Sequence, residues 1–393
     1  MVLAMTTQSQ AFDEKYLLLD QQELQSRIKA RRRELGDALC ILGHHYQRDE
    51  IVQVSDFVGD SLALSRQAAQ MKKARWFVFC GVSFMAESAD VLSSDDQAVC
   101  LPHLQARCTM AEMADAPAVA TAIDEIASIS GQKVIPIAYV NSTAAVKAVT
   151  GSALGACCTS GNAANVVAWA LDQRRACGDK AKILMLPDQH LGRNTAVAMG
   201  FAPEDCAVYD PALPDGGLSA QQIQRAVFIL WKGHCYVHQQ FTVADIGRVR
   251  SEYPGVKVVV HPECPHEVVQ QADAAGSTEQ IIKLLAESPK GQRWAVGTES
   301  NLVQRMAEKH GRDRVLLLSS KPAICRQMYL TGLPHLAWVL DNLAAGRVVN
   351  RITVEPDVAR QARVALDRMI SIKPSAAVTT RASGEASATA GPS

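Results

Sequence analysis

Three apolar, β-branched runs, Ala38–Gly43, Val134–Val140 and Lys257–Val260, each give way to helical periodicity. This pattern predicts strands alternating with helices in parallel sheets. Each run stops at a cluster carrying polar side chains: His44-His45-Tyr46, Tyr139-Val140-Asn141 and His261-Pro262-Glu263. The carboxyl ends of strands are where open α/β sheets hold ligands. A small hydroxyl residue then opens an amphipathic stretch in each case, at Gly59-Asp60-Ser61, Cys158-Thr159-Ser160 and Gly276-Ser277-Thr278. Such a residue is expected to N-cap its helix, beside bare amides that attract an anion. A further strand follows: Trp76–Cys80 before Gly81-Val82-Ser83, Ile183–Leu186 before Pro187-Asp188-Gln189-His190, and Trp294–Val296 before Gly297-Thr298-Glu299. Each segment finally reaches a cysteine, Cys108, Cys235 or Cys325.

The spacings repeat. His44 to Ser61 and His261 to Thr278 both span 17 residues, and Ser61 to Cys108 and Thr278 to Cys325 both span 47. The middle segment is longer, with 21 residues from Tyr139 to Ser160 and 75 from Ser160 to Cys235. Its excess falls around Gly151–Gly155 and in the Pro/Gly-rich Ala202–Gly217 with the helix after it, a surface elaboration by expectation. Repetition on this scale marks repeated supersecondary units. The chain therefore reads as three α/β units, 30–128, 129–250 and 251–350, whose equivalent strand ends face one centre. An extension at 1–29 precedes them, and a helix at 351–374 follows. The Ala/Ser/Thr/Gly-rich segment 375–393 lacks a periodic apolar face and is expected to be a disordered tail.

Composition narrows the classes of function. With 48% hydrophobic and 20% charged residues among 393, the chain buries a sizeable core. Forty basic residues offset forty acidic ones, so no global field favours nucleic acid or a membrane surface, and Arg31-Arg32-Arg33 reads as a solvated helix face. Met1 to Gln10 lacks the features of a signal peptide and no run is long enough to span a membrane, so the expected location is the cytoplasm. Eleven cysteines in a reducing compartment argue for metal or redox chemistry over disulfides. Nucleotide chemistry finds no support, because neither a Walker-type loop nor a Gly-x-Gly-x-x-Gly fingerprint is present.

One cysteine per unit at a shared centre gives three thiolates, which favour a soft metal. In a cubane of four irons, three cysteines leave one iron open to act as a Lewis acid. A rival set, Cys235, His238, His261 and Cys264, has the composition of a tetrahedral zinc site but leaves Cys108 and Cys325 without a role. A redox-sensing iron–sulfur protein without turnover is the alternative from another class. Cys40, Cys80, Cys100, Cys157, Cys177 and Cys206 read as core or surface residues. His44, His238 and His261 stand beside landmarks, whereas His103, His190, His310 and His335 read as structural. Glu263 is placed to accept and return protons, and Tyr46 and Tyr139 to donate hydrogen bonds.

Several segments, among them ILGHHYQRDEIVQVSDFVGDS, LQARCTMAEM, IAYVNSTAAVKA, LWKGHCYVHQQF, VVVHPECPHEVVQQADAAGST and KPAICRQMYLTGLPHLAWVLDNL, resemble the quinolinate synthases in the family's order, from about residue 40 to 345. The resemblance implies three pseudo-threefold-related αβα domains with parallel sheets around a central 4Fe-4S cluster, one per chain, ligated by Cys108, Cys235 and Cys325. It implies a transferase that condenses iminoaspartate with dihydroxyacetone phosphate to quinolinate, phosphate and water on the route to NAD, with an L-aspartate oxidase as candidate supplier of the imine. His44, Tyr46, Ser61, Tyr139, Asn141, Ser160, His238, His261, Glu263 and Thr278 would line the pocket. Glu263, Tyr46, Tyr139 and His44 would serve as catalytic groups. His45 stands where many relatives carry Asn.

Overall fold

Strands follow the apolar runs closely, because side chains buried on both faces of a parallel sheet must be apolar throughout. A computed structural model of the chain describes residues 6–7 and 11–372, so the segment 375–393 lies outside the described residues. In the first sheet the strands Phe57–Gly59, Leu39–His44, Trp76–Cys80 and Ala98–Cys100 lie side by side and parallel, with Arg351–Ile352 added antiparallel at one edge. The third sheet has the same order, Ala274–Ala275, Lys257–Val260, Trp294–Gly297 and Val315–Leu317, all parallel. In both, the strand that comes second in sequence flanks the first, and the third and fourth follow on the other side.

The middle sheet keeps this order and adds to it. Ala156–Cys158, Val134–Tyr139, Lys182–Leu186 and Phe228–Trp231 occupy the four equivalent places, and Cys206–Tyr209 pairs outside them as a fifth parallel strand. The long spacing before Cys235 is thus an added edge strand with its connections, including the helix Ala220–Arg225. The shorter excess lengthens the helix after the first strand, Ala144–Ser152, which has nine residues where the other units have four in Asp49–Val52 and six in His266–Gln271. Gly151 near its end admits the C-terminal helix Pro356–Ser371: a Cβ there would lie 2.0 Å from the Gln361 carbonyl oxygen.

Alternate residues of each outer sheet enter different cores, as a period of two requires. In the first sheet Leu42, Phe77 and Phe79 face one cluster and Ile41, Val78 and Cys80 another. In the third, Val258 and Ala295 face one and Val259 and Val296 another. The N-terminal helix Gln21–Leu35 covers part of the second cluster, and its Arg27 and Arg31, with Tyr16, converge on Asp341. Arg32 pairs with Asp56, so Arg31 and Arg32 hold ion pairs instead of forming a merely solvated face. Among the described residues no helix is long and apolar enough to cross a membrane.

Candidate active site

The carboxyl ends of the three sheets meet at one cavity. Each unit contributes four side chains from equivalent places: the strand end, the residue two further on, the start of the next helix, and the cysteine. The first unit supplies His44, Tyr46, Ser61 and Cys108. Tyr139, Asn141, Ser160 and Cys235 come from the second, and His261, Glu263, Thr278 and Cys325 from the third. His238, in the turn after Cys235, also lines the wall. The sequence-expected site residues are therefore gathered in one place. His190 is outside it, hydrogen-bonded to Gln239 at 2.7 Å, and His103 meets His335 edge to face with ring centroids 4.7 Å apart.

The helix starts differ from expectation in one respect. Ser61, Ser160 and Thr278 are not the N-caps. Asp60 accepts from the Ala63 amide at 2.9 Å, and Ser277 forms a reciprocal box with Gln280. In the middle unit Asn162 precedes the helix Ala163–Ala176, its Oδ1 accepting from the Thr159 amide at 2.7 Å. The hydroxyl residues line the cavity; in the first and third units the preceding residue takes the capping role, and in the middle unit Asn162 makes no side-chain capping bond. Side-chain oxygens one residue before or two after each hydroxyl were not separable by spacing alone.

His44 and His261 repeat one local geometry. Each Nδ1 accepts the backbone N–H two residues later, from Tyr46 at 3.1 Å and from Glu263 at 3.3 Å. Burial pushes both imidazoles down to about 3. A neutral ring that accepts at Nδ1 carries its proton on Nε2, so both present an N–H donor. The phenols of half-buried Tyr46 and buried Tyr139 are pushed well above their usual range by desolvation and then by Glu263. Tyr46 Oη lies 3.3 Å from Thr278 Oγ1 and 3.1 Å from Thr298 Oγ1, while Tyr139 interacts with Ser160 and Glu263.

Glu263 is 2% exposed and approaches His238 Nδ1 to 2.6 Å through Oε2. Burial alone would raise its carboxyl; the adjoining His238 and His261, with hydrogen bonds from His238 and Tyr139, overcome that and hold it below the usual carboxylate range. Its other oxygen, Oε1, is buried without a hydrogen-bond partner among the described residues. A buried carboxylate oxygen of this kind is costly unless something else uses it.

The three cysteines occupy matching loops, each after the fourth equivalent strand of its sheet. Each sulfur faces the backbone N–H three residues on, at Ala111, His238 and Met328 respectively. Burial pushes Cys108 up to about 12, Cys325 up to about 11 and Cys235 well above the usual thiol range. Thiolates form in such surroundings only against a positive charge. Two of the loops are backed by buried helix-capping carboxylates that went unassigned in sequence. Glu299 caps Ser300–His310 and reaches the Cys325 amide at 3.4 Å. Asp188 caps Gln189–Ala198, with the Cys235 amide facing its carboxylate.

The zinc alternative does not assemble. Cys264 is fully buried away from the cavity, its thiol 3.7 Å from the Gly297 carbonyl oxygen. Among the described residues, the one set of three such ligand atoms within 4.8 Å of one another is Cys235, His238 and Glu263. The three cavity sulfurs are therefore not all that close together. The remaining cysteines are buried in cores, apart from half-buried Cys206 and exposed Cys177.

The model of a family described as quinolinate synthetase A protein matches residues 26–371. A quinolinate synthase of Streptomyces coelicolor is 48% identical over 354 residues, covering 89% of this chain and 88% of the relative. One of Anoxybacillus flavithermus is 47% identical over 370 residues, 94% of this chain and 99% of the relative. One of Acidobacterium capsulatum is 48% identical over 362 residues, 91% and 95% respectively. With this identity extending over nearly the whole of each partner, the chain belongs to the quinolinate synthetase A family.

Proposed function

We propose that the chain is a transferase of NAD biosynthesis, condensing iminoaspartate with dihydroxyacetone phosphate to quinolinate, phosphate and water, with a 4Fe-4S cluster held by Cys108, Cys235 and Cys325. The observation that carries this reading is the threefold repetition of one ligand: a half-buried cavity cysteine in each unit, with the amide three residues on facing its sulfur. Sulfurs bound to a single zinc ion at about 2.3 Å lie about 3.8 Å apart. These three are not all within 4.8 Å, which fits a larger iron–sulfur group better than one ion. Bound there, the cluster supplies an iron with an open position that acts as a Lewis acid.

The chain's own residues divide the remaining work. Ser61, Ser160 and Thr278, beside helix starts, offer donors to carboxylate and phosphate groups. His44 and His261 add Nε2–H donors without adding charge. Glu263 takes protons at Oε1, the oxygen without a partner, and returns them as water and phosphate leave. Tyr139 beside it, and Tyr46, donate to developing enolate oxygens. An L-aspartate oxidase in the same cytoplasm is the matching source of the imine.

Anaerobically purified protein should be brown, contain iron and sulfide, and release quinolinate from the two substrates. Cys108→Ala, Cys235→Ala and Cys325→Ala should each lose colour and turnover together. A colourless zinc protein would reject the cluster, and a stable cluster without quinolinate would favour a sensor.

A further inference from the structure

We propose that Tyr236 is a positioning residue for the iron–sulfur group: its hydroxyl ties the loop of one cysteine ligand to the loop of another and donates to the Cys325 sulfur when iron is bound there. The inference rests on the reading of Cys108, Cys235 and Cys325 as the cluster ligands. Tyr236 follows Cys235 directly and so belongs to the second unit, yet its hydroxyl reaches the third. Its Oη accepts from the Arg326 amide at 2.6 Å, lies 2.7 Å from Gln327 Oε1 and faces the Cys325 sulfur. The residues that follow the other two cysteines, Thr109 and Arg326, are exposed, whereas Tyr236 is half-buried. Tyr236 also marks a boundary. With Ile324, Gln327 and Tyr329 it lines a groove open to solvent, which neither Cys235 nor Cys325 lines; both cysteines line the cavity instead. The ring and its hydrogen bonds thus stand between bulk water and the Cys325 sulfur.

Counting protons gives the hydroxyl its role. The phenol has one proton and two acceptors beside it. With Cys325 as a thiol, the sulfur holds a proton of its own and Gln327 Oε1 takes the phenol proton, as the 2.7 Å contact shows. A sulfur bound to iron has no proton and carries negative charge, so it becomes the stronger acceptor. The phenol proton then turns to the sulfur. The Gln327 amide rotates its Nε2 toward Tyr236 Oη, which accepts from it and from the Arg326 amide, and Oε1 turns to the open groove. Every one of these groups keeps a partner, and the loops of Cys235 and Cys325 are joined at the bound group by a bond that the metal itself strengthens.

The test is Tyr236→Phe, which keeps the ring and removes the hydroxyl, in the full chain reconstituted anaerobically with iron and sulfide. Iron and sulfide content after reconstitution should match the parent. Release of iron to a chelator without oxygen should be about tenfold faster, the scale of one hydrogen bond to a charged acceptor. The reduction potential of the bound group should shift negative, because a donor to a ligand sulfur favours the more negative, reduced state. The metal-free variant should melt close to the metal-free parent, which reports folding separately. Iron release within about threefold of the parent would overturn the proposal. So would faster release with an unmoved potential, which reduces Tyr236 to a structural tether, or a metal-free variant that melts far below the parent, which assigns the loss to folding. A parent that takes up no iron–sulfur group overturns the cluster reading together with this inference, whereas a loaded parent beside an indifferent Phe variant overturns this inference alone.

Discussion

The seam between the first two units is apolar, whereas the seam they form with the third is largely polar. Phe77, Phe79, Ile137, Phe228 and Leu366 belong to one continuous core that spans the first two sheets and the C-terminal helix. The third unit has two separate clusters, one of which it shares with Val237, Phe241, Ile246 and Val249 from the end of the second. It meets the others through hydrogen bonds: Arg305 to the Gln47 carbonyl at 2.8 Å, to Asp49 at 2.9 Å and to the His45 carbonyl, and Asn194 to the carbonyls of Pro262 and Cys264 at 2.8 and 2.9 Å. An apolar seam fixes two walls of the cavity cheaply, but it cannot satisfy buried charge. A polar seam supplies partners, and that is where Glu263, His238, Tyr46 and Thr298 are found.

The most severe way to break this contrast is at Glu263. Glu263→Gln keeps the shape of the side chain and removes its ability to take a proton. Turnover should fall by about 10²–10⁴, the range for losing a general base, while iron and sulfide content stay at the parent level. Unchanged turnover in steady-state assays would remove the proton-transfer role from the polar seam. The counterpart on the apolar seam is Leu366→Ala, which empties a fully buried position. It should cost about 2–5 kcal/mol of stability in denaturant melts, yet leave KM close to the parent value at a temperature where the variant is folded. A KM change larger than the stability loss explains would show that the two seams do not divide the labour this way.

The two seams also differ in how legible they were. Strand ends were readable because an apolar run that stops at polar residues has few other meanings, and the equal 17- and 47-residue spans singled out three cysteines among eleven. The caps were harder: Asp60, Ser61, Ser277 and Thr278 are all plausible capping residues, and backbone geometry alone chose between neighbours. Thr298, Glu299 and Asp188 carried a usable signal, since they follow the third strand as His44 and His261 follow the first. They went unassigned because their partners lie far off in sequence, Thr298 being 252 residues from Tyr46. The division into an apolar and a polar seam has no sequence signature, because both are built from ordinary periodic elements and only their docking distinguishes them.

The smallest expected effect lies at the rim of the polar seam, where His45 Nε2 meets Glu279 Oε1 at 2.8 Å and so ties the first unit to the third. The glutamate is 45% exposed in its side chain, and exposed pairs of this kind contribute under about 1 kcal/mol. His45→Asn keeps a polar side chain at this position and should leave kcat and KM within about twofold while lowering the melting temperature slightly at neutral pH. The sign of the pH dependence follows from Glu279, whose carboxyl is held below the usual glutamate range, first by the hydrogen bond from His45. A depressed carboxyl stabilises the folded state above its unfolded pKa and loses that contribution as pH falls through the folded one. The gap in melting temperature between parent and His45→Asn should therefore close on acidification through the lower glutamate range. A gap that widens there would place the stabilisation on the imidazole alone, and the rim would then owe nothing to the carboxylate that bridges it.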